Sequence, residues 1–309
     1  MSSKFELNVP ITYDVMIEKL EDLSNNYRFM SIGNIGKSIY NKNIPVIRLG
    51  EGSKKIIYIG AHHGSEWITS GVLLRFINEY CETYRRGGTV NKTRIEDLYK
   101  NYELSIIPML NPDGVEISIK GVNKDNVMYG RLMSMNNGSD KFSRWQANGR
   151  GVDLNHNYNS GFSEYKKIEN DLGINCGAPT KYSGEYPESE PETGYLCSYV
   201  RFNDFSGALT FHSQGEEIYY TSGGESKSEF EKIAKYFSLI SDYKLNKPSG
   251  SASYGGFTDW FIKEFDKPSF TVECGKGENP LPLTDLPLIY IKLRRLLFEA
   301  PTVICRNCH

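Results

Sequence analysis

No apolar run in this 309-residue chain approaches the roughly 20 residues needed to cross a bilayer, so no membrane span is expected. Cysteine is sparse. The six, Cys81, Cys176, Cys197, Cys274, Cys305 and Cys308, are too few and too scattered for a disulfide framework. The last two form Cys305-Arg-Asn-Cys308-His309, which copies a haem-attachment signature without any haem-domain context around it. Opportunistic metal binding or disulfide formation by a frayed tail is the plainer reading. Neither sign of charge dominates: a formal net charge of −2 offers nothing to nucleic acid or to an anionic membrane. Residues 1–10 lack the basic-then-apolar order of a secretory signal, which makes the cytoplasm the expected location. Internal repeats and Pro-, Gly- or Ser-rich linkers are missing as well. One domain over residues 1–309 is expected, with residues 1–50 as a helix and hairpin leading into a sheet. Nothing in the sequence speaks to oligomeric state.

What is present is a globular composition, 39% apolar and 24% charged, with 21 tyrosines. Apolar positions at Val15, Ile17, Leu20 and Leu23 predict a helix over residues 12–27. Strands are expected at 28–32, 45–49, 56–59, 103–110, 207–211, 218–221 and 269–272, where β-branched and aromatic residues run together. Helices are expected at 68–84, 188–202, 226–243, 257–265 and 286–297. Residues 85–98 read as a charged loop or ragged helix end, and Asn111-Pro112-Asp113-Gly114 as a turn. Residues 120–148 and the stretch up to 187 read as long polar loops, and 248–256 as a flexible one. This alternation predicts an α/β fold: a mixed central sheet flanked by helices.

Chemistry collects at the expected strand ends. His63 and Glu66 form H-x-x-E directly after the apolar run Ile56-Ile57-Tyr58-Ile59, on the turn into a helix, where open α/β sheets place their sites. Alone, the motif is equally a capped helix bearing a surface histidine. Two further strands end in His212 and Glu273. His63, Glu66 and His212 make the two-His, one-carboxylate set of a hydrolytic zinc with one position left for water. Zinc brings the pKa of bound water to about 7, and a carboxylate outside the metal shell must then carry the proton. Glu273 suits that role.

The order H-x-x-E, N-P-D-G, G-V-D-L-N, a strand ending in His-Ser, G-G-F-x-D-W and a strand-terminal Glu resembles the zinc carboxypeptidase (M14) family from about Gly60 to Glu273. The resemblance implies His63, Glu66 and His212 as ligands of one Zn2+ and Glu273 as general base and acid. Only His63, not its rival His62, has the family spacing to Glu66. W-Q-A-N-G-R-G-V-D-L-N, H-S-Q-G-E-E-I-Y, F-T-D-W-F-I and V-E-C-G-K-G-E-N-P-L-P resemble the branch of γ-D-glutamyl–diamino acid peptidases, implying a peptide or muropeptide substrate derived from peptidoglycan.

The departures fall on substrate groups. The family's Asn-Arg pair is Asn155-His156 here, and a histidine cannot make the forked contact of a guanidinium with a terminal carboxylate. Its transition-state arginine aligns with Gln146, leaving Arg144 or Arg150 as nearby sources of positive charge. Its mobile tyrosine aligns with Ser251, with Tyr254 as the nearest replacement. Asn155, His156, Arg144, Arg150 and Tyr254 are therefore the candidate substrate-binding residues. The alternatives are a metallocarboxypeptidase on ordinary peptides, an amide deacylase, and a non-catalytic zinc-dependent wall-binding module.

Overall fold

Why the middle of the chain forms a buried sheet is visible in its strands. β1 (Ser31–Lys37), β2 (Asn43–Leu49) and β3 (Lys54–Gly60) are followed by a two-residue ribbon of β4 (Thr89–Val90) and β5 (Thr93–Arg94). Then come β6 (Tyr102–Ile107), β7 (Gly207–His212), β8 (Glu217–Tyr219), β9 (Lys244–Asn246) and β10 (Ser269–Glu273). The computed structural model describes residues 5–221, 226–247 and 254–307. Apart from β4 and β5, the strands make one sheet in the order β1-β2-β6-β3-β7-β10-β8-β9. Its centre, β6, β3, β7 and β10, is parallel; β1, β2 and β8 run antiparallel to their inner neighbours. Central parallel strands are covered on both faces, hence their continuous apolar runs. Side chains alternate: Ile56 and Tyr58 enter one core, Ile57 and Ile59 the other.

The larger core is closed by α1 (Tyr13–Asn26), α2 (Ile68–Arg85), α8 (Ser228–Ser241) and α10 (Leu286–Asn307). The smaller is closed by α7 (Pro191–Phe202) and α9 (Phe257–Phe265). Thr12 caps α1 by accepting the Val15 N–H at 3.3 Å, and Met16, Leu20 and Leu23 recur at helical spacing on its buried face. None of the helices among the described residues is long and apolar enough to cross a membrane. The fold is the single-domain α/β architecture expected, with an eight-stranded mixed sheet.

Several local expectations change. The hairpin's first strand begins at Ser31 rather than Arg28. Residues 85–98 are not a plain loop: they hold β4, β5 and the start of α3 (Ile95–Asn101). N-P-D-G is the start of α4 (Pro112–Lys120). Asn111 caps it by accepting the Gly114 N–H at 2.9 Å, and Pro112 takes the first turn, where its missing N–H costs nothing. The polar stretches contain α5 (Tyr129–Met135) and α6 (Phe162–Asp171). The closing helix runs on to Asn307 and carries Cys305 as a buried free thiol, not as part of a frayed tail. Cys308, His309, Ser251 and most of the 248–256 loop lie outside the described residues.

Candidate metal centre

Three parallel strands deliver the site at their carboxyl ends. β7 and β10 pair so that Glu273 lies opposite His212, while β3 leads through Ala61 and His62 to His63. Ala61 turns the chain with φ of +48°, a conformation an L-residue holds only when its surroundings impose it. Thr69 supplies part of that constraint: its hydroxyl oxygen accepts the Ala61 N–H at 2.8 Å and its O–H donates to the Glu66 carbonyl at 2.8 Å. Gly64 sits so close to α4 that a Cβ there would lie 2.3 Å from the Gly114 carbonyl oxygen. Asn111 completes the clamp, donating to the carbonyls of His62 at 3.0 Å and Ala147 at 3.2 Å.

In this frame His63 Nδ1 is 2.9 Å from Glu66 Oε1, and His212 Nδ1 is 3.0 Å from Glu66 Oε2 and 3.4 Å from His63 Nδ1. One ligand atom from each of the three lies within 4.8 Å of the others, and all three side chains are largely buried. Two imidazole nitrogens facing each other beside a carboxylate need a shared proton or a cation between them. That donor set suits zinc. On its far side His63 Nε2 meets Asp153 Oδ1 at 3.0 Å, the histidine–carboxylate arrangement that fixes the tautomer of a metal ligand. Asp153 itself accepts the Lys181 N–H at 2.9 Å.

The charges follow from this packing. Burial works against ionising Glu66, but His63 and His212 outweigh it and bring its carboxyl down to about 2. Burial likewise opposes the His63 imidazolium, and Glu66 and Asp153 overcome it, raising His63 well above its ordinary value. Glu273 moves the opposite way from Glu66: burial first, then the negative charge of Glu66, push its carboxyl well above the usual range. A cation held by the cluster would pull it back down. His62 is not in the cluster. Its Nε2 is 3.0 Å from the Tyr158 hydroxyl, its ring stacks on His212 at 5.1 Å, and burial keeps it neutral.

Beside the cluster lies a cleft of about 200 Å³ whose walls include His63, His212, Glu273, Asn155 and His156. Asn155 Oδ1 accepts the Phe257 N–H at 3.1 Å. The His156 ring stacks on Tyr165 with centroids 3.9 Å apart, and its Nδ1 is 3.0 Å from the Tyr254 carbonyl oxygen. Burial, partly opposed by Asp153, lowers the basicity of His156.

The other three candidates stand elsewhere. Tyr254 offers its carbonyl to His156, while its ring lies against Gly161. Arg144 pairs with Glu278 in an exposed contact, 75% and 79% accessible, in a shallow hollow with Ser65, Gln146 and Asn279. Arg150 grips Glu190 with two bonds of 3.1 Å, inside a buried polar knot with Asn148, Asn157 and Glu192. Gln146 is engaged by the Thr180 hydroxyl.

Sequence reasoning missed Asp153, although it lies inside the quoted G-V-D-L-N motif, and the N-P-D-G clamp. It also missed Asn279, whose amide is 3.4 Å from Glu66 Oε1 and whose Oδ1 accepts the Ser213 hydroxyl at 2.8 Å. The tetrapeptide E-N-P-L was the only local signal for Asn279.

Residues 16–290 match the family described as "Zinc carboxypeptidase". The chain is 35% identical over 279 residues to a protein of Lysinibacillus sphaericus named gamma-D-glutamyl-L-diamino acid endopeptidase 1, covering 90% of this chain and 69% of that one. It is 31% identical over 290 residues to an uncharacterized protein, YqgT, of Bacillus subtilis strain 168, covering 93% of this chain and 76% of that one. Among solved structures, thrombin activatable fibrinolysis inhibitor shares the fold with a TM-score of 0.74 at 19% identity, over 99% of this chain and 76% of that one.

Proposed function

The chain belongs to the zinc carboxypeptidase family and is a metallopeptidase hydrolase, and on that premise we propose that it cleaves γ-D-glutamyl–diamino acid amides in peptides derived from peptidoglycan. The observation that carries the reading is the convergence of His63, Glu66 and His212 beside Glu273, in a chain 35% identical to an endopeptidase named for that bond.

His63, Glu66 and His212 would hold the zinc, and Asp153 would keep the His63 Nδ1 lone pair directed at it. A zinc ion in such a set supplies Lewis acidity and a water acidic near neutral pH. Glu273 takes the proton from the attacking water and returns it to the leaving amine. Asn155, whose Oδ1 accepts the Phe257 N–H, would present its amide N–H2 to the substrate. Arg144 sits at the rim of the hollow beside Ser65 and Asn279, where it could meet a substrate carboxylate on the acyl side. Arg150 is committed to Glu190 and serves the fold.

Incubation with L-Ala-γ-D-Glu-meso-diaminopimelate and with a generic peptide, with and without a chelator, tests this by mass spectrometry. Chelator-sensitive release of the diamino acid is expected. Cleavage of the generic peptide alone would replace the proposal with an ordinary metallocarboxypeptidase.

A further inference from the structure

The hollow that holds Arg144, of about 330 Å³, adjoins the metal cluster but shares no residue with the cleft beside Glu273. Its wall is wholly polar: Ser65, Arg144, Gln146, Gln214, Glu278 and Asn279. Two of these tie it to the cluster. Ser65 directly precedes Glu66, and the Asn279 amide is 3.4 Å from Glu66 Oε1. Ser65 is 1% exposed, and its Oγ is buried without any hydrogen-bond partner. A buried hydroxyl left unmatched at the wall of a hollow is a group prepared for a ligand. Gln146 adds to it: its Oε1 accepts the Thr180 hydroxyl, which leaves the amide N–H2 to donate elsewhere.

The charge on the wall points to an acceptor as the ligand. Arg144 is the cation of the hollow, and Glu278, its partner, is the one carboxylate on that wall. Both side chains are mostly exposed, so their pair holds only weakly and a competing carboxylate can take its place. Glu278 thus shows what chemistry the hollow accommodates: an anion on a guanidinium, beside a free hydroxyl and a free amide. An ionised carboxylate only accepts hydrogen bonds, and all three of those groups donate them. A γ-linked glutamyl residue carries such an anion. Its side-chain carbonyl is the one attacked, so its α-carboxylate stays free on the acyl side, where an ordinary α-linked residue has a neutral amide.

We propose that this hollow receives the free α-carboxylate of the γ-D-glutamyl residue, held by Arg144, Ser65 and Gln146, and that Glu278 occupies Arg144 until the substrate displaces it. This rests on the γ-D-glutamyl reading and deepens it, because it makes the hollow the part of the protein that distinguishes a γ-linkage from an α-linkage. It also sets a condition on the substrate. A glutamyl residue whose α-carboxylate has been converted to the carboxamide has no charge to exchange for Glu278, and it is refused. Sites built to hydrogen-bond a particular group discriminate strongly against analogues that lack it, because their own buried groups are then left unpaired.

The test is calorimetric binding of two dipeptides to the zinc-loaded protein: L-Ala-D-Glu, the acyl product, and L-Ala-D-isoglutamine, which differs only in having the α-carboxamide. L-Ala-D-Glu should bind about tenfold or more tighter. Arg144→Gln and, separately, Ser65→Ala should each shrink that ratio, with zinc content and melting temperature recorded to confirm an intact fold. Glu278→Gln should act in the opposite direction and tighten L-Ala-D-Glu, since Arg144 is then unopposed. Equal binding of the two dipeptides, no binding of either, or a full ratio in Arg144→Gln overturns the proposal. Hydrolysis of L-Ala-γ-D-Glu-meso-diaminopimelate and of its α-carboxamide counterpart is measured in parallel. If neither is cleaved, the γ-D-glutamyl activity fails, while the dipeptide ratio still decides what the hollow recognises.

Discussion

Two buried polar clusters draw on the 146–157 segment, one through Asn148 and Asn157 and the other through Asp153 behind His63, and they are built on opposite principles. In the knot around Asn148 and Asn157 every group is matched within the protein. The Asn157 amide donates to Ser183 O at 2.7 Å and Ser189 Oγ at 2.9 Å, and its Oδ1 accepts from Glu190 N and Thr193 Oγ1. Arg150 and Asn148 neutralise and bind Glu190. In the strand-end cluster, by contrast, His63 Nδ1, His212 Nδ1 and both Glu66 oxygens converge on one point, more acceptors than donors to one another. A satisfied network fixes a structure; a network short of one cation is prepared for a guest. On the proposed reading, the contrast separates Asp153 and Glu273, assigned to the reaction, from Arg150 and Glu190, held in the knot.

Substitutions can break that separation, and the strongest should act on catalysis alone. Glu273→Gln should retain zinc, read by metal analysis, yet lose about 10²–10⁴-fold in turnover; a near-wild-type rate would remove Glu273 from the reaction.

The knot should answer instead in stability, and to pH. Burial holds the Glu192 carboxyl up at about 8, against 4.5 ordinarily. The folded state therefore keeps its proton where the unfolded chain releases it. The stability this lends is complete below about pH 4.5 and drains away as pH rises through about 8, by an amount on the order of a few kcal/mol. Glu192→Gln should flatten that part of the urea-midpoint profile; an unchanged slope would mean that the wild-type carboxylate is ionised in the fold.

Asp153→Asn returns to the metal side. Loss of its charge behind His63 should weaken zinc affinity about 10–100-fold in competition with a chromophoric chelator. Asn157→Ala, in the knot, should cost about 2 kcal/mol of unfolding free energy and leave zinc affinity alone; a matching loss of zinc would show that the two clusters are coupled. Arg150→Ala should do least. With Arg150 about half exposed, its pair with Glu190 contributes roughly 1 kcal/mol or less, and kcat should hold. A large fall in kcat with stability intact would make Arg150 the transition-state cation after all.

The sequence exposed whatever depends on periodicity or short spacing. Ile56 to Ile59 read as a central strand because both faces are buried, and His63 and Glu66 read as partners because three residues of turn bring them together. Helices α5 and α6 were hidden because few of their residues are buried, Leu132 alone in the first, so they show little apolar rhythm. N-P-D-G looks the same as a turn or as a cap followed by a helix until the Gly64 backbone is seen resting on it. The fate of Arg150 depended on Glu190, 40 residues away, and the contact of Asn279 with Glu66 spans 213 positions. Such pairings are decided by tertiary packing and leave no local mark. Asp153 fell between these cases: its motif was visible, but its partner was not.

The register of β7 against β10 has one more consequence. Because His212 and Glu273 are set side by side by the pairing of parallel strands, the proposed centre cannot be complete before the segment containing β10 has joined the sheet. A chain still being synthesised, or one whose β10 has come loose, holds His63 and Glu66 without Glu273 beside them. On the proposed reading, competence to cut therefore waits on completion of the sheet.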